Sequence, residues 1–440
     1  MVLKVDLSQE NIQNGKNIDI KHNLNIPKAD LKSRIKNKIR VWQSNLSKMP
    51  TSHKAILFFL GISITILASI ALIYGYIIFT KPAYTPIDTS YKLLEASSTE
   101  NFDFLIELPI PPAIKDRENP INGELYTKDE FEELVKRKPL IVMIENHLDA
   151  RPQAGLTDAD LIYETLVESG ITRYMVVFWG KDSKKVGPIR SVRSYFLDWV
   201  SEYDDPPLCN IGQAGYESWE EVIVPEADAR SYIIRYNIKS YSWYGRNVTW
   251  RDKEKYNKGI AWEHVAYSET QTLWKDAQTL GWVGPAEFES LKFKKDAKKE
   301  ERSLSQEIEI KFLNLSSTNY KVNWIYDIDS NSYKRLLADK PHIDENNNKQ
   351  ITAKNIIIEH CQYRQTGDRN GRLVFTTIGE GNADIIRDGE VLKGTWKKQD
   401  RTSRTKFYYN NEEVELNRGQ TWIEIVPVSG SKEVSTIIFK

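Results

Sequence analysis

The sequence predicts an α+β protein: a single N-terminal transmembrane helix, then a mixed α/β domain, then a mostly antiparallel β domain. Three observations carry this expectation. Residues 55–79, AILFFLGISITILASIALIYGYIIF, form a run of 25 residues without a charge. From 138 to 290, short apolar runs are interleaved with helical patterns, the mark of layered α/β architecture. From 303 to 430 the apolar runs are β-rich, and Asp388-Gly389 and Asn410-Asn411 sit at hairpin-like turns.

The first element is a basic tail. Residues 1–54 carry 11 Lys/Arg against 4 Asp/Glu, a net +7, and the whole chain carries 61 of each sign, so the remainder is −7. A basic head and a mildly acidic body argue against a nucleic-acid partner and suit a head lying on an anionic lipid leaflet. Residues 1–27 are Asn- and Lys-rich with little periodicity and are expected to be disordered. Within 28–48, Leu31, Ile35, Ile39 and Trp42 make an apolar stripe on a basic surface helix.

Residues 55–79 follow. As a helix at ~1.5 Å per residue they reach ~37 Å, enough to cross a ~30 Å hydrocarbon core with some tilt. Lysines and arginines precede the segment in number, while Lys81 stands nearly alone after it. This places the N-terminus in the cytoplasm and the body outside the cell membrane, as a single-pass anchor. Residues 80–137 are Pro-rich, with LPIPP at Leu108–Pro112, and read as a stalk.

The body begins with apolar strands at Leu140–Glu145, Leu161–Val167 and Ile171–Trp179, the last two joined by a turn at Glu168-Ser169-Gly170. Val192, Tyr195, Phe196, Trp199, Val200 and Tyr203 share one helical face, which predicts a helix over 191–203 with Ser191 as its cap. A short strand over Pro207–Ile211 and a short helix over Glu217–Val224 follow. A Lys-rich connector near 292–302 leads to strands at 307–312, 321–326, 351–360, 372–378 and 421–427. Only two cysteines occur, Cys209 and Cys361. Two separate buried thiols are expected, with a single bridge left open.

Several strings are specific: IENHLDARPQAGLTDAD from Ile144, YETLVESGITRY from Tyr163, VGPIRSVRSYF from Val186, ITAKNIIIE from Ile351, DGEVLKGTW from Asp388 and LNRGQTWIEIVP from Leu416. Together they resemble the YerB-like family, bacterial proteins named as lipoproteins, of unknown function and built from two linked domains. The resemblance covers roughly 139–427 and implies two domains, over 138–290 and 303–430. It also implies an envelope location. Some members are anchored by a lipidated cysteine, but no cysteine lies near the apolar segment here, so the helix itself must anchor. Many members carry Pro-His-Asn near the end of the first domain, where this chain has Glu263-His264-Val265.

The strongest candidate for chemistry is an anion site. Arg190 and Arg193 flank Ser191 at the predicted helix start, where free N–H groups and two guanidinium groups would grip a phosphate or carboxylate. Arg173 and Arg151 are placed to join them. In the competing reading these arginines pair with Asp158, Asp160, Glu164 or Glu168 and brace loops. The further candidates are Glu145, His147, Asp158, Asp160 and His264. The first two close a predicted strand, Asp158-Ala159-Asp160 offers two carboxylates, and each histidine suits a general base near neutral pH. No phosphate loop, HExxH or GxSxG motif occurs, so neither metal nor cofactor is expected. Between Trp243 and Trp262 five aromatics are mixed with Arg246, Arg251 and Asp252, a combination that suits sugar rings as well as loop packing.

Two functions compete on these grounds. One is a binding or scaffolding module of the envelope, with membrane lipid, a cell-wall glycan or an envelope protein as partner. The other is an envelope phosphotransferase or hydrolase acting on lipid-linked or wall glycans.

Overall fold

The strand Leu140–Glu145 (β1) is LIVMIE and is buried along its whole length. So are Leu161–Leu166 (β2) and Thr172–Phe178 (β3). Strands covered on both faces read as continuous apolar runs, and no residue of β2 is exposed. Each fully buried Leu, Ile or Val side chain contributes about 1.5–3 kcal/mol. The chain reverses between β2 and β3 at Glu168–Gly170, where Ser169 and Gly170 take φ of 60° and 71°, and the two strands pair antiparallel from Leu161↔Val177. β1 lies antiparallel to β3, and Leu208–Cys209 (β4) closes this side of the sheet in parallel with β1.

These features come from a computed structural model that describes residues 113–215 and 224–440. The basic tail, the apolar segment 55–79 and the first part of the stalk lie outside the described residues, as does the helix expected over Glu217–Val224 except for its last residue. No helix among the described residues is long and apolar enough to cross a membrane.

The second half of the chain supplies two sheets. Glu307–Lys311 (β5), Val322–Asp327 (β6), Ser332–Leu337 (β7) and the last strand, Thr436–Phe439, belong to a six-stranded antiparallel sheet. Asn355–Gln365 (β8), Gly379–Arg387 (β9), Glu390–Lys398 (β10), Lys406–Tyr409 (β11) and Thr421–Ser429 (β12) join the other sheet. Asp388-Gly389 makes the β9–β10 turn with both residues at positive φ, 53° and 78°. β12 runs between β8 and β2 and is parallel to both, with Thr421 beside Asn355 and Leu161. One twelve-stranded sheet therefore runs through both halves.

That junction is charged. Glu164 of β2 lies beside Glu424 of β12 in register, and Arg335 of β7 reaches in to bond Glu164. All three side chains are fully buried. The Arg335 guanidinium sits 4.5 Å from the Trp422 ring centroid and 5.5 Å from that of Trp324. Burial, then the Glu164 charge, hold the Glu424 carboxyl well above the usual range. His342 Nδ1 accepts from Arg335 Nη1 at 2.7 Å, and its Nε2 donates to Gln153 Oε1 at 2.8 Å. Burial, then Arg335, keep His342 well below the usual imidazole value. A second sealed group pairs Glu202 with Lys398 of β10 at 2.8 Å and with Arg404 at 3.0 Å.

Two sequence expectations change. The helix expected over 191–203 begins at Phe196, covers Phe196–Val200 and continues as a 3-10 turn, Ser201–Tyr203. Its expected start is taken by strand-like bonding: Val192 N donates to Gly212 O and Ala214 N to Val192 O, each at 3.2 Å. Ser191 caps nothing, and its hydroxyl donates to Ile211 O at 2.9 Å. Within the segment read as a stalk, Arg117–Glu118 pairs with Leu125–Tyr126, and Lys128–Leu134 is helical. Ile121 and Leu134 are buried. The helix starts with a reciprocal cap, in which Thr127 Oγ1 accepts from Glu130 N at 3.2 Å and Glu130 Oε2 accepts from Thr127 N at 2.8 Å. Both cysteines are buried and free.

Candidate functional site

Where β1 ends, the backbone leaves the sheet through Asn146 and His147 into a 3-10 turn, Leu148–Ala150. The exit is fixed from below. Asn146 Nδ2 donates to Thr172 Oγ1 at 2.7 Å, Arg151 Nε donates to Asn146 Oδ1 at 3.0 Å, and Gln153 Nε2 donates to Glu145 O at 3.1 Å. A rigid strand end of this kind positions side chains better than a free loop.

Glu145 is the hub. Its Oε1 accepts from Arg190 Nε at 2.9 Å, and its Oε2 lies 2.8 Å from His264 Nδ1. The His264 ring comes from a turn 119 residues further on, Trp262–His264, and is buried. An imidazole that donates Nδ1–H to a carboxylate carries its lone pair on Nε2. His147 stacks on His264 with ring centroids 4.4 Å apart and planes 4° from parallel. His147 Nδ1 accepts from Asp149 N at 3.3 Å and lies 3.6 Å from Asp149 Oδ2. The face of the cluster is open, because the His147 and Asp149 side chains are 33% and 59% exposed.

Arg190 is partly exposed, and its terminal nitrogens bond no group among the described residues. Arg251 stands near it: burial, then the Arg190 charge, lower its guanidinium below the ordinary value. Arg251 Nη1 donates to Trp262 O at 2.8 Å. Trp250, Tyr256 and Trp262 are all exposed, and Tyr256 meets Trp262 edge-on at 5.2 Å. Two partly solvated cations, two histidines and a rim of aromatic faces thus share one end of the sheet.

The other arginines expected at an anion site are engaged elsewhere. Arg193 pairs with Glu168 through two nitrogens. Burial opposes ionisation of Glu168, but Arg193 and then Arg173 outweigh it and hold its carboxyl below the usual range. Arg173 Nη1 donates to Ser191 O at 2.6 Å, and burial, then Arg193, lower its guanidinium to about 9. Arg151 braces Asn146 and donates to Asn319 O at 2.9 Å. Asp158 accepts from Ser183 Oγ at 2.7 Å, and Asp160 accepts from Trp179 N at 2.6 Å and Gly180 N at 2.9 Å. The structure therefore gathers Glu145, His147, Arg190 and His264, and keeps Arg151, Arg173, Arg193, Asp158 and Asp160 on loop and strand contacts. Asp149 was not singled out from the sequence, although its place two residues after His147 puts both on one tight turn. A cavity of about 460 Å³ lined by Lys397, Lys398, Arg404 and Lys406 shares no residue with this cluster.

Fold and site define a two-part α/β protein, with one sheet through both parts and an open His-carboxylate-Arg cluster at a strand end. Two family models match it: "Protein of unknown function (DUF3048) N-terminal domain" over residues 126–283, and "Protein of unknown function (DUF3048) C-terminal domain" over 309–423. The chain belongs to the YerB-like family. It is 25% identical over 327 residues to a Bacillus subtilis (strain 168) protein named "Putative lipoprotein YerB", covering 74% of this chain and 91% of that one. It is also similar to the crystal structure of the YerB protein from Bacillus subtilis, with a TM-score of 0.60 and 23% identity, over 73% of this chain and all of that one. That structural likeness speaks to the fold.

Proposed function

We propose that this chain is a cell-envelope protein, held at the membrane by residues 55–79, whose body binds an anionic, glycan-linked ligand at the Glu145–His264 cluster. One observation carries the reading. Arg190 is fixed by Glu145 through Nε, and its terminal nitrogens bond no group among the described residues; Arg251, whose guanidinium feels the Arg190 charge, lies 5.3 Å from the centroid of the exposed Trp262 ring. A guanidinium already oriented by a carboxylate loses little freedom on gripping a phosphate, and exposed indoles suit sugar faces. The envelope location draws on the lipoprotein name of the Bacillus subtilis relative and on the uncharged run from 55 to 79.

The test is binding of the full chain, solubilised in detergent, to phosphate-bearing wall polymer and to lipid-linked sugar phosphate. Arg190→Ala is expected to weaken binding by about tenfold or more, the equivalent of ~1.4 kcal/mol. Equal binding by wild type and variant, or none by either, overturns the reading. A second reading, an envelope phosphotransferase or hydrolase, draws on the 2.8 Å Glu145–His264 contact, since a carboxylate-oriented imidazole is a competent general base. Turnover of a phosphoester panel that vanishes in His264→Gln would favour it over binding alone.

A further inference from the structure

We infer that His147, Asp149 and His264 form a binding site for one divalent transition-metal ion, with Glu145 orienting His264 from behind. One ligand atom from each of the three lies within 4.8 Å of the others; the His147 ring, 33% exposed, must turn out of its parallel stack on His264 for both lone pairs to meet at one ion. Two ligands ~2.1 Å from a tetrahedral ion stand roughly 3.4 Å apart, and His147 Nδ1 is 3.6 Å from Asp149 Oδ2. The 3.3 Å bond from Asp149 N to His147 Nδ1 is long enough to yield that lone pair to an ion. His264 already makes the contact that metal-bound histidines make on their far side: its Nδ1 meets a carboxylate at 2.8 Å, which turns Nε2 outward.

Donor chemistry narrows the ion. Two imidazoles and one carboxylate suit Zn²⁺, Mn²⁺, Fe²⁺ or Co²⁺ and not Ca²⁺, which takes oxygens. Three protein ligands leave a position open, and the exposure of His147 and Asp149 puts that position toward solvent. Arg190 is bonded to the same Glu145. The ion itself does not depend on what Arg190 binds, so the site stands or falls separately from the ligand proposed above.

The test is titration of the full, metal-stripped chain in detergent with Zn²⁺, and with Co²⁺ followed by its visible absorption, both without any glycan or phosphate. One equivalent is expected to bind. His147→Ala and Asp149→Asn, both at open positions, are each expected to weaken Zn²⁺ by more than about 100-fold, and Glu145→Gln by roughly 10–100-fold. Thermal melts of each apo variant that match wild type separate loss of a ligand from loss of the fold. No saturable binding, or full affinity in both His147→Ala and Asp149→Asn, overturns the inference. Metal binding without glycan binding would sink the ligand reading and leave this one intact.

Discussion

Two regions of this molecule hold similar side chains under opposite conditions. At the junction of the two halves, Glu164, Arg335, Glu424 and His342 are sealed from solvent. At the end of β1, Glu145, His147, Asp149, Arg190 and His264 meet with one side open. The junction spends its groups on one another: Arg335 bonds both Glu164 and His342, and Trp324 Nε1 donates to Glu424 Oε1 at 2.9 Å. The strand-end cluster keeps capacity in reserve, on Arg190 and on the outer nitrogen of His264. Burial therefore separates charge used to specify the fold from charge available to a ligand, although the residue types are nearly the same.

The comparison breaks most visibly at Arg335. Arg335→Met fills the space but leaves Glu164 buried without its cation, and is expected to cost about 3–5 kcal/mol. Urea denaturation measures it, and a loss below about 1 kcal/mol would mean that the junction does not hold the halves together. A smaller effect tests sealed charge through pH. Glu359 of β8 is fully buried, its Oε2 has no partner among the described residues, and burial pushes its carboxyl from 4.5 up to about 8. The folded state therefore keeps a proton that the unfolded state releases. The stability tied to that proton is complete below about pH 4.5 and is lost as pH rises through 8, at roughly 1.4 kcal/mol per unit. Glu359→Gln should flatten the decline of wild-type Tm between pH 5 and 8, with a gain on the order of 3 kcal/mol at the upper end. Parallel Tm profiles for the two proteins would refute it. The smallest effect belongs to the open cluster: His147→Ala is expected to move stability by less than about 0.5 kcal/mol. A loss above 2 kcal/mol would place His147 with the sealed charges.

Much of the fold was legible because β1, β2 and β3 are long apolar runs and because a tight turn links two of them. The capping pair Thr127 and Glu130 was equally legible, yet the prolines before it drew the stalk expectation past it. The start of the helix near 191–203 was not legible. Its apolar periodicity is genuine, but the competing bonds come from Gly212 and Ala214, which periodicity does not see. The site divides in the same way. His147 and Glu145 are visible at the end of a predicted strand, and their partner His264 arrives across 119 residues of chain. Arg335, Glu424 and Glu202 raised no signal, since charged residues ordinarily face water.

The position of β12 has a consequence for how the molecule comes into being. A ribosome releases residue 161 long before residue 421, so until β12 appears β2 has a naked edge where its parallel neighbour belongs. Pairings this distant in sequence form slowly, and an unsatisfied strand edge invites the wrong partner. The growing chain must therefore keep β2 shielded, or delay its pairing, until β12 arrives and the sheet can close.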